Sequence, residues 1–171
     1  MADIPSTPAD ENVSVILVQA LADPDAPAVD ELTGGTVVDI SCYLTSDGYN
    51  PGLDEQVISD ERLCSKQIFE QPGRNSRTLS LTYIDNTNSA NATTDNKAKE
   101  TLEPGVDLFL VGRRGVKFDE PYAVGQKVWV WPIKPGEYND LPPEANSVLK
   151  TTQKQFVTGS VRTDVAVVAG A

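Results

Sequence analysis

Histidine is absent from all 171 residues, which removes the commonest general base, the commonest zinc ligand and the imidazole of most nucleophilic triads. Cysteine is scarce: Cys42 and Cys64 are too few for a secreted disulfide framework or a metal knuckle, so both are expected to be reduced and buried. Basic residues are in the minority, 14 against 25 acids, and a net charge of −11 opposes any binding that depends on neutralising phosphates. Long apolar runs are missing as well. No stretch reaches the length of a membrane span, and the opening MADIPSTPADEN lacks the positive start and apolar stretch of a secretory leader, so the expected setting is a cytosol without membrane contact.

What is present is enough for one domain, since 39% hydrophobic residues in a chain of this length supply a sizeable core. Residues 1–12 are polar with two prolines and read as a flexible arm, leaving 13–171 as a single domain. Residues 13–22 and 36–44 read as strands, and 23–35 as a surface connection. RTLSLTYI (77–84) alternates cleanly, with Leu79, Leu81 and Tyr83 on one face and Thr78, Ser80 and Thr82 on the other. The segments 106–115 and 125–133 are apolar on both faces and need cover from a second sheet, a helix or a neighbouring subunit. The tail, 147–170, reads as two strands broken near Gly159, with Val161, Val165 and Val167 on a shared face. Residues 46–52 form a turn, and 58–69 a turn or two of helix capped by Ser59. The stronger helical stretch is about 92–102, capped by Thr93 or Thr94, with an Asp95–Lys99 pair and a narrow stripe of Ala98 and Leu102. About seven strands and one flanking helix make a mainly β fold, an antiparallel β-sandwich or barrel.

Candidate chemistry is sparse. Asp54 with Glu55 and Asp60 with Glu61 are carboxylate pairs, but neighbouring acids arise by chance among 25 and read as solvated charge. Asp23, Asp25 and Asp30 lack the glycine and closing glutamate of a calcium loop. GRRG (112–115) lacks the Lys-Ser/Thr of a phosphate loop, and Arg113, Arg114 and Lys117 form a basic spot, either a solvated hairpin or a contact with an acidic patch on an identical copy. Trp129 and Trp131 share a strand face, as core, sugar platform or interface anchor. No enzyme, no cofactor and no metal are expected; Trp129, Trp131, Arg113, Arg114 and Tyr49 are the candidates for self-assembly.

The order of several segments then matters: VILVQALADP, DISCYL, VISDERLCSKQIFEQPGR with SLTYI, LEPGVDLFLVGRRG, GQKVWVWPIKPGE and QKQFVTGSVRTDVAVVA. In this order, over residues 13–169, the chain resembles the major tail tube proteins of long-tailed, siphovirus-type bacteriophages, particularly those infecting actinobacteria. The resemblance implies a structural subunit of the virion tail, assembled in the host cytoplasm, that closes into hexameric rings through its inner sheets. The rings would stack on one another and meet the tape measure and other tail proteins, with DNA passing through the bore without specific binding. An acidic chain suits such a bore, because like charge gives the polyanion nowhere to adhere. Two other readings stand beside this one: a tail terminator or head-tail joining ring, and a carbohydrate-binding β-sandwich module.

Overall fold

In the computed structural model, which describes residues 2–170, the apolar run that opens the domain is strand β1 (Val13–Val18), buried on both faces beyond its first residue. Then come α1 (Val29–Thr33), β2 (Val38–Asp39), β3 (Leu44–Asp60), β4 (Phe69–Ile84), α2 (Lys97–Thr101) and β5 (Leu108–Arg114). β6 (Lys127–Pro135), β7 (Asn139–Asp140), β8 (Lys150–Val157) and β9 (Arg162–Ala166) complete the chain. All strand pairings are antiparallel, and the order across the sheet is β2-β1-β5-β6-β8-β4-β3, with β7 on β8 and β9 on β6. The fold is mainly β, consistent with the expected sandwich.

Strand β6 sets the layering. One edge pairs with β5 from Val128 to Ile133, while the other is divided, Lys127 to Val130 against β9 and Ile133 to Pro135 against β8. The break expected near Gly159 is therefore where the chain leaves β4 for the other layer. Alternation along β5 and β6 builds two apolar clusters. Leu108, Leu110, Trp131 and Ile133 meet Leu79, Leu81 and Tyr83 between the layers, while Val111, Val128 and Val130 face Leu32, Tyr122 and Val167 on the back. Burying each large side chain contributes about 1.5–3 kcal/mol. Val161 packs on the first cluster and Val165 and Val167 on the second, so the single valine face expected for the tail is split, with Asp164 at φ 57° between them.

Several local expectations change. Residues 58–69 are not helical: Ile58, Ser59 and Asp60 pair with Gln71, Glu70 and Phe69 at the end of a long β3–β4 hairpin, because no apolar stripe repays a helix there. The turn expected at 46–52 lies within β3, where a bulge between Leu44 and Tyr49 absorbs it. Residues 23–35 hold α1, whose Glu31 carboxylate accepts from the amides of Ala22 at 2.7 Å and Ala28 at 3.1 Å. The strand expected at 36–44 shrinks to β2, because the Asp39 carboxylate accepts from the amide of Ser41 at 2.8 Å and turns the chain. Both cysteines are free, but exposed rather than buried: Cys64 sits at the hairpin tip and Cys42 in that turn.

The helix expected over 92–102 contracts to α2, preceded by turns, although its stripe is as expected, with Ala98 and Leu102 fully buried in the interlayer cluster. The Asp95–Lys99 pair gives way to a stronger partner. Lys99 Nζ lies 2.8 Å from the Asp85 carboxylate, which also accepts from the Thr87 amide at 2.9 Å and the Thr151 hydroxyl at 3.1 Å. Burial pushes the Asp85 carboxyl up, but the hydrogen bonds from Lys99 and Thr87 outweigh it and hold the group down at about 2. Because the folded value lies below the ordinary 3.8, this contribution is complete above about pH 4 and is lost as pH falls toward about 2. Allowing for solvent screening, Asp85→Asn is expected to lose about 1–2 kcal/mol at pH 7 and little at pH 2, read from urea unfolding at both.

Candidate functional site

Four of the five residues singled out in the sequence converge at one open end of the interlayer space. Trp129 stands across from Gly112 in the β5–β6 pairing, and the missing side chain lets the indole lie over the glycine backbone. A Cβ added at Gly112 would fall 2.0 Å from Trp129 Cε2 and Cζ2. Tyr49 closes from the other layer, its ring centroid 5.5 Å from that of Trp129 and the planes inclined by 31°. It reaches this place because the β3 bulge presses Gly48 against β4, where a Cβ would meet the Thr82 carbonyl at 2.2 Å. Trp131, two residues on, is buried in the core beneath. Burial pushes the Tyr49 hydroxyl up to about 12, against the opposing pull of the Trp131 indole and the more distant Arg114 and Arg77.

Tyr49 and Trp129 line a groove of about 340 Å³, with Val13, Val15 and Leu44 as its apolar floor and Arg114 at the rim beside Asp10 and Glu11. Arg114 is exposed and forms no ion pair among the described residues. The N-terminal segment turns sharply at this rim: the Asn12 side chain donates to the carbonyls of Pro8 and Asp10 at 3.2 and 3.1 Å, and Glu11 takes φ 63°. None of residues 2–8 lines the groove, and all are exposed.

The fifth candidate lies elsewhere. Arg113 points to the opposite face and is 1% exposed, so the basic spot is divided, Arg113 buried while Arg114 and Lys117 are exposed. Its guanidinium donates to the carbonyls of Lys117 and Glu120, both at 2.7 Å, to the Pro121 carbonyl and to Gln126 Oε1, both at 3.1 Å, and lies 4.4 Å from the Tyr122 ring centroid. It fastens the turn at 115–126 over the back of the sheet.

A second feature escaped the sequence reading. Beyond Leu79, β4 has lost β8 as a partner, and β3 ends the sheet, so the hairpin projects on the order of 30 Å with both outer edges unpaired among the described residues. It carries Leu53, Val57, Ile58, Leu63, Ile68 and Phe69, all exposed. The available signal was the mirror arrangement of Val57-Ile58 and Ile68-Phe69 around the stretch 60–67, which is polar apart from Leu63 and Cys64. By contrast, no group of three or more acids or cysteines able to hold a metal gathers among the described residues.

The hairpin thus leaves two strand edges unpaired and six apolar side chains uncovered among the described residues. A family model described as phage tail tube protein matches residues 1–170. The chain belongs to the phage tail tube protein family. This is a structural, non-enzymatic class, and membership makes the chain a phage tail protein. Among solved structures, the tail tube chain is similar to one in the six-fold symmetrised cryo-EM structure of the anti-feeding prophage baseplate. The TM-score is 0.55 at 12% identity, covering 93% of this chain and 96% of that one. At that identity the likeness speaks for the fold. No curated protein sequence matches significantly.

If Gly112 makes room for the indole, Gly112→Ala is expected to cost about 1–3 kcal/mol by overpacking and to shift tryptophan emission to the red, read together in a urea titration. An unchanged midpoint and spectrum would contradict that packing.

Proposed function

We propose that the chain is the repeating subunit of a phage tail tube, closing into hexameric rings that stack into a hollow conduit for DNA. The observation that carries the reading is the hairpin. Six exposed apolar side chains and two strand edges unpaired among the described residues, extending beyond the body, call for cover from another chain. A neighbouring copy along the tube axis supplies it head to tail, and a heterologous contact of that kind propagates instead of closing. Six-fold symmetry is supported by the similar chain in the symmetrised baseplate. The same reading places the subunit beside a tape measure and other tail proteins, with the virion assembled in the bacterial cytoplasm and residues 1–12 as a flexible arm to the single domain. The sequence resemblance alone supports a siphovirus-type tail and an actinobacterial host.

DNA in such a bore meets a chain of net charge −11, which discourages adhesion.

The test uses the cysteine at the hairpin tip. In a Cys42→Ser background, Cys64 is expected to react freely with a maleimide in dispersed subunits and at least about ten times more slowly in tubes, in line with burial at an interface core. Replacing Val57 and Ile58 by aspartate is expected to leave the unfolding midpoint nearly unchanged, since both are exposed, while electron micrographs show rings or monomers in place of tubes. Normal tubes from that variant, with Cys64 equally reactive in both states, would rule out the hairpin as the stacking element.

A further inference from the structure

We propose that the groove between Tyr49, Trp129 and Arg114 receives residues 3–8 of a second copy, bound as an extended polyproline-type segment. The inference rests on the tube reading for the nearness of copies, and on the groove and the arm for its chemistry.

The arm reads Asp3-Ile4-Pro5-Ser6-Thr7-Pro8. Each proline locks its own φ and pushes the residue before it, Ile4 or Thr7, into extended geometry. Two prolines three apart occupy the same side of a helix with three residues per turn, so Pro5 and Pro8 form one apolar ridge. Such ridges dock into grooves lined by aromatic rings, and they lose little conformational freedom in doing so. The groove offers the matching surface: two aromatic rings 5.5 Å apart, an aliphatic floor, and about 340 Å³ of space, within the ordinary range for a binding cleft. Charge agrees as well. Arg114 stands at the rim without an ion-pair partner among the described residues; Asp10 and Glu11 share that rim, so Arg114 is the one lining group that attracts Asp3, the acid at the start of the ridge. Ile4, 86% exposed, has no cover of its own.

The occupant is another copy's arm because the chain leaves the groove at its rim. Ala9, Asp10 and Glu11 line the opening, Asn12 holds the chain in a turn there, and none of residues 2–8 of the same copy lines the groove. Each copy then lends an arm to one neighbour and accepts one from another, a contact separate from the hairpin.

Two subunit variants decide it, Ser6→Cys and Thr45→Cys, the latter on the groove lining, each in a Cys42→Ser/Cys64→Ser background. Mixed and assembled under mild oxidation, they are expected to give a reducible dimer band at least about five times stronger than either variant alone. Its absence would overturn the exchange, and so would a doubly substituted chain that cross-links only within itself. In parallel, a peptide of residues 2–9 titrated into the dispersed full chain is expected to shift tryptophan emission saturably, with at least about five-fold weaker binding to the Arg114→Glu chain and to a peptide with both prolines replaced by alanine. Equal binding in all three cases, or none up to several millimolar, would overturn it. Wild-type chains that never form tubes would remove the reading under which copies stack, yet the peptide titration would still decide the groove.

Discussion

The second edge of β6 is shared by two strands that cannot lie in the same layer. Lys127 to Val130 hold β9, and Ile133 to Pro135 hold β8, so between Val157 and Arg162 the chain crosses from one layer to the other. That crossing makes the sheet enclose the cluster of Leu79, Leu81, Tyr83, Leu110 and Trp131 on one side of β6 and leaves Val128 and Val130 to be covered from behind by α1 and the turn that Arg113 fastens.

The same crossing produces both surfaces that matter outside the domain. When β8 turns away, β4 continues beyond Leu79 with β3 as its one partner among the described residues, and the hairpin is the part left uncovered. Further along β6, the interlayer space stays open where Trp129 lies on Gly112 and Tyr49 leans in from β3, so a groove remains at that mouth. Both surfaces proposed for assembly therefore trace to one pairing constraint.

Period-two patterns were legible wherever one sheet pairs regularly. The alternation at 77–84, the two-faced strands at 106–115 and 125–133, and the break near Gly159 correspond to observed elements. Elements decided by distant partners were not. Residues 58–69 look weakly helical in isolation, because a hairpin that projects from its domain lacks the one-sided burial that marks a strand. α2 is shorter than its propensity suggests because Lys99 and Asn96 are engaged by Asp85 and Asn86 across the loop. Arg113 reads as surface charge, and only the fold of residues 117–126 brings four acceptors around it. The tryptophan pair was visible, while its partnership with Tyr49 depends on a bulge that sequence spacing does not announce.

The bare hairpin also bears on how the free subunit behaves in a crowded cell. Attraction between uncovered valine, isoleucine and phenylalanine side chains acts only at contact, whereas repulsion between bodies of charge −11 extends across roughly a Debye length, about 8 Å at physiological salt. Under the tube proposed above, such a particle would act as a charged colloid with a sticky tip: it would stay dispersed behind an electrostatic barrier that ionic strength sets, and condense first where a template already holds neighbours close enough for the tips to touch.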